Sequence, residues 1–330
     1  MAATNDIGID LGTSNILIYM KGKGIVLREP TVVAIDRDSR DILAFGDEAR
    51  RMIGRTPSNI LAIRPLREGV ISDHELVSFM LKGFVLKAVG KHMFARPRAV
   101  LSLPTSVNEM EKRSIISTMF DAGMRRTQLL DRSLAAALGA GLPIDEAYGT
   151  MIVDISAGVS DIAVLSFGKV VVSDCAKTGG DRFDDAIIRH LRRKHNLLIG
   201  ERTAEEIKRT VGAAKIVVPD DDRSVEVRGR DLIDGMPKSV TVSTSDVVQA
   251  LNPSLEKIAG GLRKVLEQAL PELVSDVIER GIVMTGGGAL LRNLDAYLGS
   301  VTSIPVGVAP NAADCVVLGT AQALDMVHIL

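Results

Sequence analysis

Cysteine is scarce in this sequence, and no stretch of it stays apolar for long. Only Cys175 and Cys315 occur among 330 residues. They lie far apart with no metal-ligand spacing, which points to packed thiols in a reducing compartment and away from a disulfide scaffold. No uninterrupted apolar run approaches the ~18 residues of a spanning helix. The opening residues Met1 to Asp6 lack the basic start and apolar stretch of a signal peptide. A soluble or peripheral protein is expected. Charge of one sign is also missing: charged residues make up 25% of the chain, yet the formal net charge is -1. No global basic field draws the chain toward nucleic acid, so no nucleic-acid partner is expected, and any contact with a membrane must be local.

What is present is a hydrophobic content of 46% over 330 residues, enough for two lobes or more, each with its own core. The chain also repeats itself. Ile7 to Asp10 form a short apolar strand ending in an acid, followed by the turn Gly12-Thr13-Ser14-Asn15 and a second strand, Ile16 to Met20. Lys21 to Gly24 then make a hairpin into Ile25-Val26-Leu27. The same order returns at Met151 to Asp154, the turn Ser156 to Ser160, the strand Ile162 to Ser166, and Phe167-Gly168-Lys169 leading into Val170 to Val172. A duplicated unit predicts two related lobes.

Helices alternate with these strands. Thr105/Ser106 with Glu109 reads as a capped helix start running to Gly123, and Leu134 to Leu138 as a short helix before Gly139. Gly179-Gly180-Asp181 opens a helix through Ile187, Ile188 and Leu191, and Thr203 with Glu206 reads as the cap of another. Pro219 to Ser224 is a charged turn in a small peripheral subdomain where Val225-Glu226-Val227 alternates as an exposed strand should. Ser245-Asp246 starts a long helical region that Pro253 is expected to kink or break. Ile282-Val283-Met284 then enters a third glycine turn, Thr285-Gly286-Gly287-Gly288.

An acid at the end of a buried strand, followed at once by a tight turn, presents backbone N–H groups and small hydroxyls to one point, which is how a chain grips phosphates. Asp10 and Asp154, one per lobe, are placed to hold a hydrated Mg²⁺, an ion that needs few carboxylates. Any one of these turns alone is ordinary hairpin punctuation; two in a repeat with a third after a strand is not. Glu205 and Lys208 stand three apart on one helix face. By spacing alone they read as an i,i+3 surface ion pair, with contact to a nucleotide's ribose and base edge as the alternative.

These residues resemble the MreB family of bacterial actin-like proteins over essentially the whole chain. The resemblance lies in Ile9 to Asn15, Gly54-Arg55-Thr56-Pro57, Ala62-Ile63-Arg64-Pro65, Gly179 to Asp184, and Glu279-Arg280-Gly281 running on to Thr285 to Leu294. It implies an α/β fold, duplicated and actin-like, with two lobes, each a mixed sheet flanked by helices, four subdomains, and ATP/ADP with Mg²⁺ in the central cleft. The expected subdomains are IA (1–32, 66–145 and 313–330), IB (33–65), IIA (146–181 and 246–312) and IIB (182–245). By position, Thr13, Ser14 and Asn15 look like the first phosphate loop, and Ala157, Gly158 and Val159 the second. Glu205, Glu206, Ile207 and Lys208 resemble the adenosine-binding segment, and Gly287, Gly288, Ala289 and Leu290 the third loop. Asp10 and Asp154 look like the acids around the metal.

Two departures stand out. Where the family carries a Glu that orients the attacking water, this chain has Arg132, and where its second loop carries a Thr, this chain has Val159. Weak hydrolysis is expected, because a guanidinium accepts no hydrogen bond. Arg132 would reach toward a γ-phosphate or pair with Asp131 or Asp161. In Lys91 to Arg98, Met93 and Phe94 sit amid bases, and the resemblance implies that they insert into lipid in place of an N-terminal amphipathic helix, with the bases adding about 1 kcal/mol each on anionic headgroups. The implied protein is a self-polymer, cytoplasmic and peripheral at the inner face of the cell membrane, organising wall growth and cell shape with wall-synthesis membrane proteins. A sugar-kinase-like phosphotransferase on the same fold is the alternative, and would need a carboxylate base, for which only Asp131 is nearby. A chaperone-type ATPase would need a peptide-binding domain after the lobes, and the sequence stops at Leu330.

Overall fold

A computed structural model describes residues 6–53, 59–90, 96–104 and 107–326. The chain divides into two compact units, residues 1–146, 167–169 and 314–330 forming the first and 147–166 with 170–313 the second. Each is built on a five-stranded mixed sheet. In the first unit the strands are β1 (Ile7–Leu11), β2 (Asn15–Met20), β3 (Gly24–Pro30), β4 (Arg98–Leu103) and β5 (Arg126–Asp131), in the order β5-β4-β1-β2-β3. In the second they are β6 (Thr150–Ile155), β7 (Ser160–Ser166), β8 (Lys169–Ala176), β9 (Ile282–Thr285) and β10 (Val306–Val308), in the order β10-β9-β6-β7-β8. The two sheets have the same strand order and directions: β1 is antiparallel to β2 and parallel to β4, as β6 is antiparallel to β7 and parallel to β9. The repeat seen in the sequence is a repeat of sheet topology.

Both central strands are buried on both faces, which explains why β1 and β6 read as continuous apolar runs without alternation. Helices supply the cover. In the first unit Met80, Leu81 and Phe84 from the helix His74–Val89, with Ile115 and Met119 from Glu109–Asp121, pack into one cluster with Ile7, Ile9 and Leu101. In the second, Phe183, Ile187 and Leu191 from Gly180–His195 join Leu251, Leu255 and Leu262 from Thr244–Gln268 against Val153 and Val164. Smaller three-stranded sheets complete the units: Ile42–Phe45, Val33–Asp36 and Ile60–Ile63 in the first, and Leu197–Leu198, Ser224–Asp231 and Pro237–Ser243 in the second.

Three local expectations are corrected. Thr105 and Ser106 lie outside the described residues, and the capping box belongs to Asn108 and Glu111: Glu111 N–H donates to Asn108 Oδ1 at 2.9 Å, and Asn108 N–H to Glu111 Oε2 at 2.8 Å. Thr203 does not cap its helix, which starts at Glu201 after Gly200. Pro253 does not break the helix, as one of its two expected effects would have done, for Thr244–Gln268 is continuous with Pro253 inside it. An interior proline costs ~3 kcal/mol. Burying Val247, Leu251, Leu255, Ile258, Leu262 and Val265 along one face, at roughly 1.5–3 kcal/mol each, outweighs that several-fold.

Candidate functional site

The register carries Asp10 and Asp154 to equivalent points. Asp10 stands opposite Ser102 on the parallel strand β4, and Asp154 opposite Thr285 on β9. Each acid therefore lies beside a hydroxyl from its parallel neighbour. Thr285 Oγ1 donates to Asp154 Oδ1 at 2.9 Å; Ser102 Oγ reaches Asp10 Oδ1 more loosely, at 3.4 Å. The sequence reading passed over both hydroxyls, although each is a lone polar residue at or next to the end of an apolar stretch, Leu101-Ser102-Leu103 and Val283-Met284-Thr285.

The turns after these acids are also equivalent. Gly12 N–H donates to Asn15 O at 3.1 Å in the first, and Ser156 N–H to Val159 O at 2.9 Å in the second. Thr31, a residue with no signal in the sequence, secures the first turn by donating its hydroxyl to Gly12 O at 2.8 Å. Thr13 is buried, Ser14 half-buried and Asn15 exposed. The second turn is held by the helix Gly180–His195, whose Gly180 and Asp181 N–H groups donate to Ser156 O and Ala157 O at 3.0 and 2.9 Å. A Cβ at Gly179 would stand 2.3 Å from Ser156 O, so only glycine permits this approach. Ala157 is half-buried, Gly158 is buried, and the Val159 side chain turns into the core at 1% exposure.

The third loop is a 3₁₀ turn, Gly287–Leu290, entered through Gly286 at φ 83°. A Cβ on Gly288 would meet Ile155 Cγ2 at 2.4 Å, whereas one on Gly287 would meet nothing within 4 Å. Packing explains the second glycine but not the first, and the exposed backbone at Gly287 is open to a ligand. Ala289 is buried and Leu290 exposed.

On the helix Glu201–Val211, Ile207 is buried, Glu206 exposed, and Glu205 and Lys208 half-buried. The partner of Lys208 is Asp184, at 2.8 Å, with a further hydrogen bond from Nζ to Gly180 O at 3.0 Å. That ties the helix to the Gly179–Asp184 segment. Burial pushes the Asp184 carboxyl up to about 6 although Lys208 opposes it. Cys175 and Cys315 are free thiols, and burial with the nearby Asp161 carboxylate pushes Cys175 far above the ordinary thiol range.

Arg132 has a buried partner that the sequence reading did not name, Asp10. Arg132 Nη1 lies 2.6 Å from Asp10 Oδ1 and Nη2 lies 3.5 Å from Oδ2, with Arg132 at 4% and Asp10 at 5% exposure. Asp131 is engaged elsewhere, accepting from Ser133 and Leu134 N–H as N-cap of the helix Arg132–Gly139. Arg132, first residue of that helix after β5, reaches past β4 to β1, the arginine and aspartate side chains together bridging the roughly 10 Å of two strand spacings.

A magnesium ion held by Asp10 does not fit this arrangement. The carboxylate already carries a buried guanidinium, charged at any working pH, and a second cation there would meet its field. Among the described residues, no group of three His, Cys, Asp or Glu side chains converges as a metal site. Met93 and Phe94 lie outside the described residues; among those described, no helix is long and apolar enough to cross a membrane.

A duplicated α/β fold with matching sheets, each central strand carrying an acid one residue before its end and then a tight turn, defines an actin-like protein. Solved structures agree: MreB5 of Spiroplasma citri bound to AMPPNP superposes with a TM-score of 0.91 at 33% identity, covering 97% of this chain and 96% of that one. MamK in a double helical filament shares the fold at a TM-score of 0.81 and 20% identity, covering 97% of this chain and 98% of that one. Residues 4–330 match the family described as MreB/Mbl protein. The chain is 47% identical to the cell shape-determining protein Mbl of Bacillus subtilis (strain 168), over 97% of this chain and 96% of that protein. It is also 47% identical to the cell shape-determining protein MreB of Escherichia coli (strain K12), over 99% and 95%. The chain belongs to the MreB/Mbl family of bacterial actin-like, cell-shape proteins.

Proposed function

We propose that this chain binds ATP, assembles into filaments of itself at the inner face of the cell membrane, and organises wall growth while hydrolysing ATP slowly. The carrying observation is the doubled arrangement of buried acid, neighbouring hydroxyl and tight turn in two sheets of one topology. Thr13, Ser14 and Asn15 of the first unit, and Ala157, Gly158, Val159 and Gly287 to Leu290 of the second, bind phosphates chiefly through backbone N–H groups. Glu205 to Lys208 face the adenosine. Nucleotide as ligand is supported by relatives solved with AMPPNP and ADP, and self-assembly by family membership. Met93 and Phe94, flanked by Lys91, Arg96 and Arg98, carry the lipid contact, and wall-synthesis membrane proteins are the partners on that surface.

Slow hydrolysis follows from two side chains. Arg132 is bound to Asp10 and offers no acceptor to orient water, and Val159 brings a buried methyl pair where a hydroxyl would help. A positioned proton acceptor is typically worth 10²–10⁴ in rate, so phosphate release should fall about that far below the family's. Restored release in Arg132→Glu with Val159→Thr supports this reading; family-level release that Arg132→Ala abolishes overturns it. Electron microscopy of the purified protein with ATP on a lipid monolayer tests assembly, and Met93→Ser with Phe94→Ser should abolish liposome co-sedimentation. Absence of filaments at any nucleotide concentration would remove the polymer reading.

A further inference from the structure

We propose that this chain binds its nucleotide without needing a divalent cation, the Arg132 guanidinium standing beside Asp10 as the fixed counter-charge. The inference rests on the nucleotide reading above and concerns how that same site neutralises phosphate charge. A triphosphate brings a concentrated negative charge, and a binding site offsets it with a bound metal ion, with fixed cations, or with backbone dipoles. Here the fixed cation is in place. Arg132 Nη1 lies 2.6 Å from Asp10 Oδ1, with Nη2 at 3.5 Å from the other oxygen, in a buried pair two residues before the turn that begins at Gly12. A guanidinium presents five N–H donors in a planar fork that suits oxyanions, and it keeps its charge at every pH at which the protein is folded.

The pair is held where it is. Asp131 caps the helix Arg132–Gly139, and every residue from Arg132 to Leu138 is buried. Gly139 and Gly319 lock that helix against Cys315–Ala323: a Cβ on Gly139 would stand 1.8 Å from Cys315 O, and one on Gly319 1.7 Å from Ala135 O. The backbone at Arg132 is therefore fixed, and its side chain, buried beside Asp10, has little room to change rotamer. Magnesium, for its part, gives up water reluctantly and is held through one or two carboxylates, whereas Asp10 is committed to a cation already. Asp154, in the second unit, accepts a hydrogen bond from the Thr285 hydroxyl at the corresponding point, at 2.9 Å.

The test is calorimetric titration of the purified full chain with ATP, once in excess EDTA and once in millimolar MgCl₂. The expected result is a Kd that differs by no more than about threefold between the two, under 1 kcal/mol. A Kd tighter by tenfold or more in MgCl₂ overturns the proposal while leaving the nucleotide reading intact. No binding in either condition overturns both. Arg132→Gln keeps a hydrogen-bond donor beside Asp10 and removes the charge. It should acquire a magnesium dependence of about tenfold or more, and Arg132→Lys should stay close to the parent. An Arg132→Gln protein as indifferent to magnesium as the parent would overturn the assignment to Arg132, and circular dichroism of the same samples separates that outcome from unfolding.

Discussion

Asp10 and Asp154 occupy matching register positions in sheets of the same strand order, each before a tight turn and each beside a hydroxyl on its parallel neighbour. Their chemical surroundings differ. Asp10 is gripped by a buried guanidinium, with Ser102 at the loose distance of 3.4 Å, while Thr285 donates to Asp154 at 2.9 Å. Backbone topology fixes where an acid can stand; the element that follows the sheet's edge strand decides what that acid can do. In the first unit that element begins with Arg132. A buried ion pair is not in itself strong evidence of stabilisation, but removing one member of it leaves a charge stranded in a medium of low polarity.

The largest effect should accordingly come from breaking the pair on one side only. Arg132→Ala strands Asp10 and is expected to lower the unfolding free energy by about 3–5 kcal/mol in urea titration, with Asp10→Asn added to it recovering most of that loss. A loss under about 1 kcal/mol would show that the pair is far better hydrated than its burial indicates. A second acid–base pair, Asp184 with Lys208, follows in size. Its carboxyl titrates at about 6 against an ordinary 3.8, so between those values the folded protein holds more protons than the unfolded chain. Stability should thus rise as pH falls from about 6 toward 4. Asp184→Asn, neutral throughout, lacks this gain, and the parent should improve relative to it by on the order of 3 kcal/mol across that window. A difference that stays flat with pH would mean the Lys208 contact cancels the effect of burial.

Thr285→Val tests the second unit's acid. It removes a hydrogen bond to a charged group with little change of shape and should cost about 1.5–3 kcal/mol. The equivalent change in the first unit, Ser102→Ala, removes only a 3.4 Å contact and should cost about 0.5 kcal/mol or less. If the two cost the same, the difference drawn here between the two acids fails at its simplest point.

Much of this was legible in the sequence, and the illegible parts share a cause. The repeat could be read because strand, acid, turn and hairpin are local patterns within about 25 residues of chain, and local patterns depend on nearest neighbours. Gly179 and Gly180 were legible as a helix start, though not as the brace of the second turn, since Ser156 lies more than 20 positions earlier. The cap at Asn108 was displaced by three residues because Thr105-Ser106 offers an equally good local signal. The helix runs on past Pro253 because burial of its apolar face opposes the local propensity to break there. The contact of Arg132 with Asp10 could not have been found locally: Asp10 is 122 positions away and is delivered by the order β5-β4-β1, while the adjacent Asp131 caps the helix that Arg132 begins.

The first unit contains residues 1–146 together with 314–330, and the second is almost wholly the stretch between them. On a ribosome this means the two halves cannot mature in the order in which they begin. At about 5–20 residues per second, some ten to forty seconds separate the emergence of the helix Arg132–Gly139 from that of its tightly seated partner Cys315–Ala323. Through that interval the second unit can finish folding, while the first keeps an apolar helix face waiting for the end of the chain. A nascent chain stalled near residue 313 should therefore present a closed second unit and an open first one, and that open face is where a chaperone would bind.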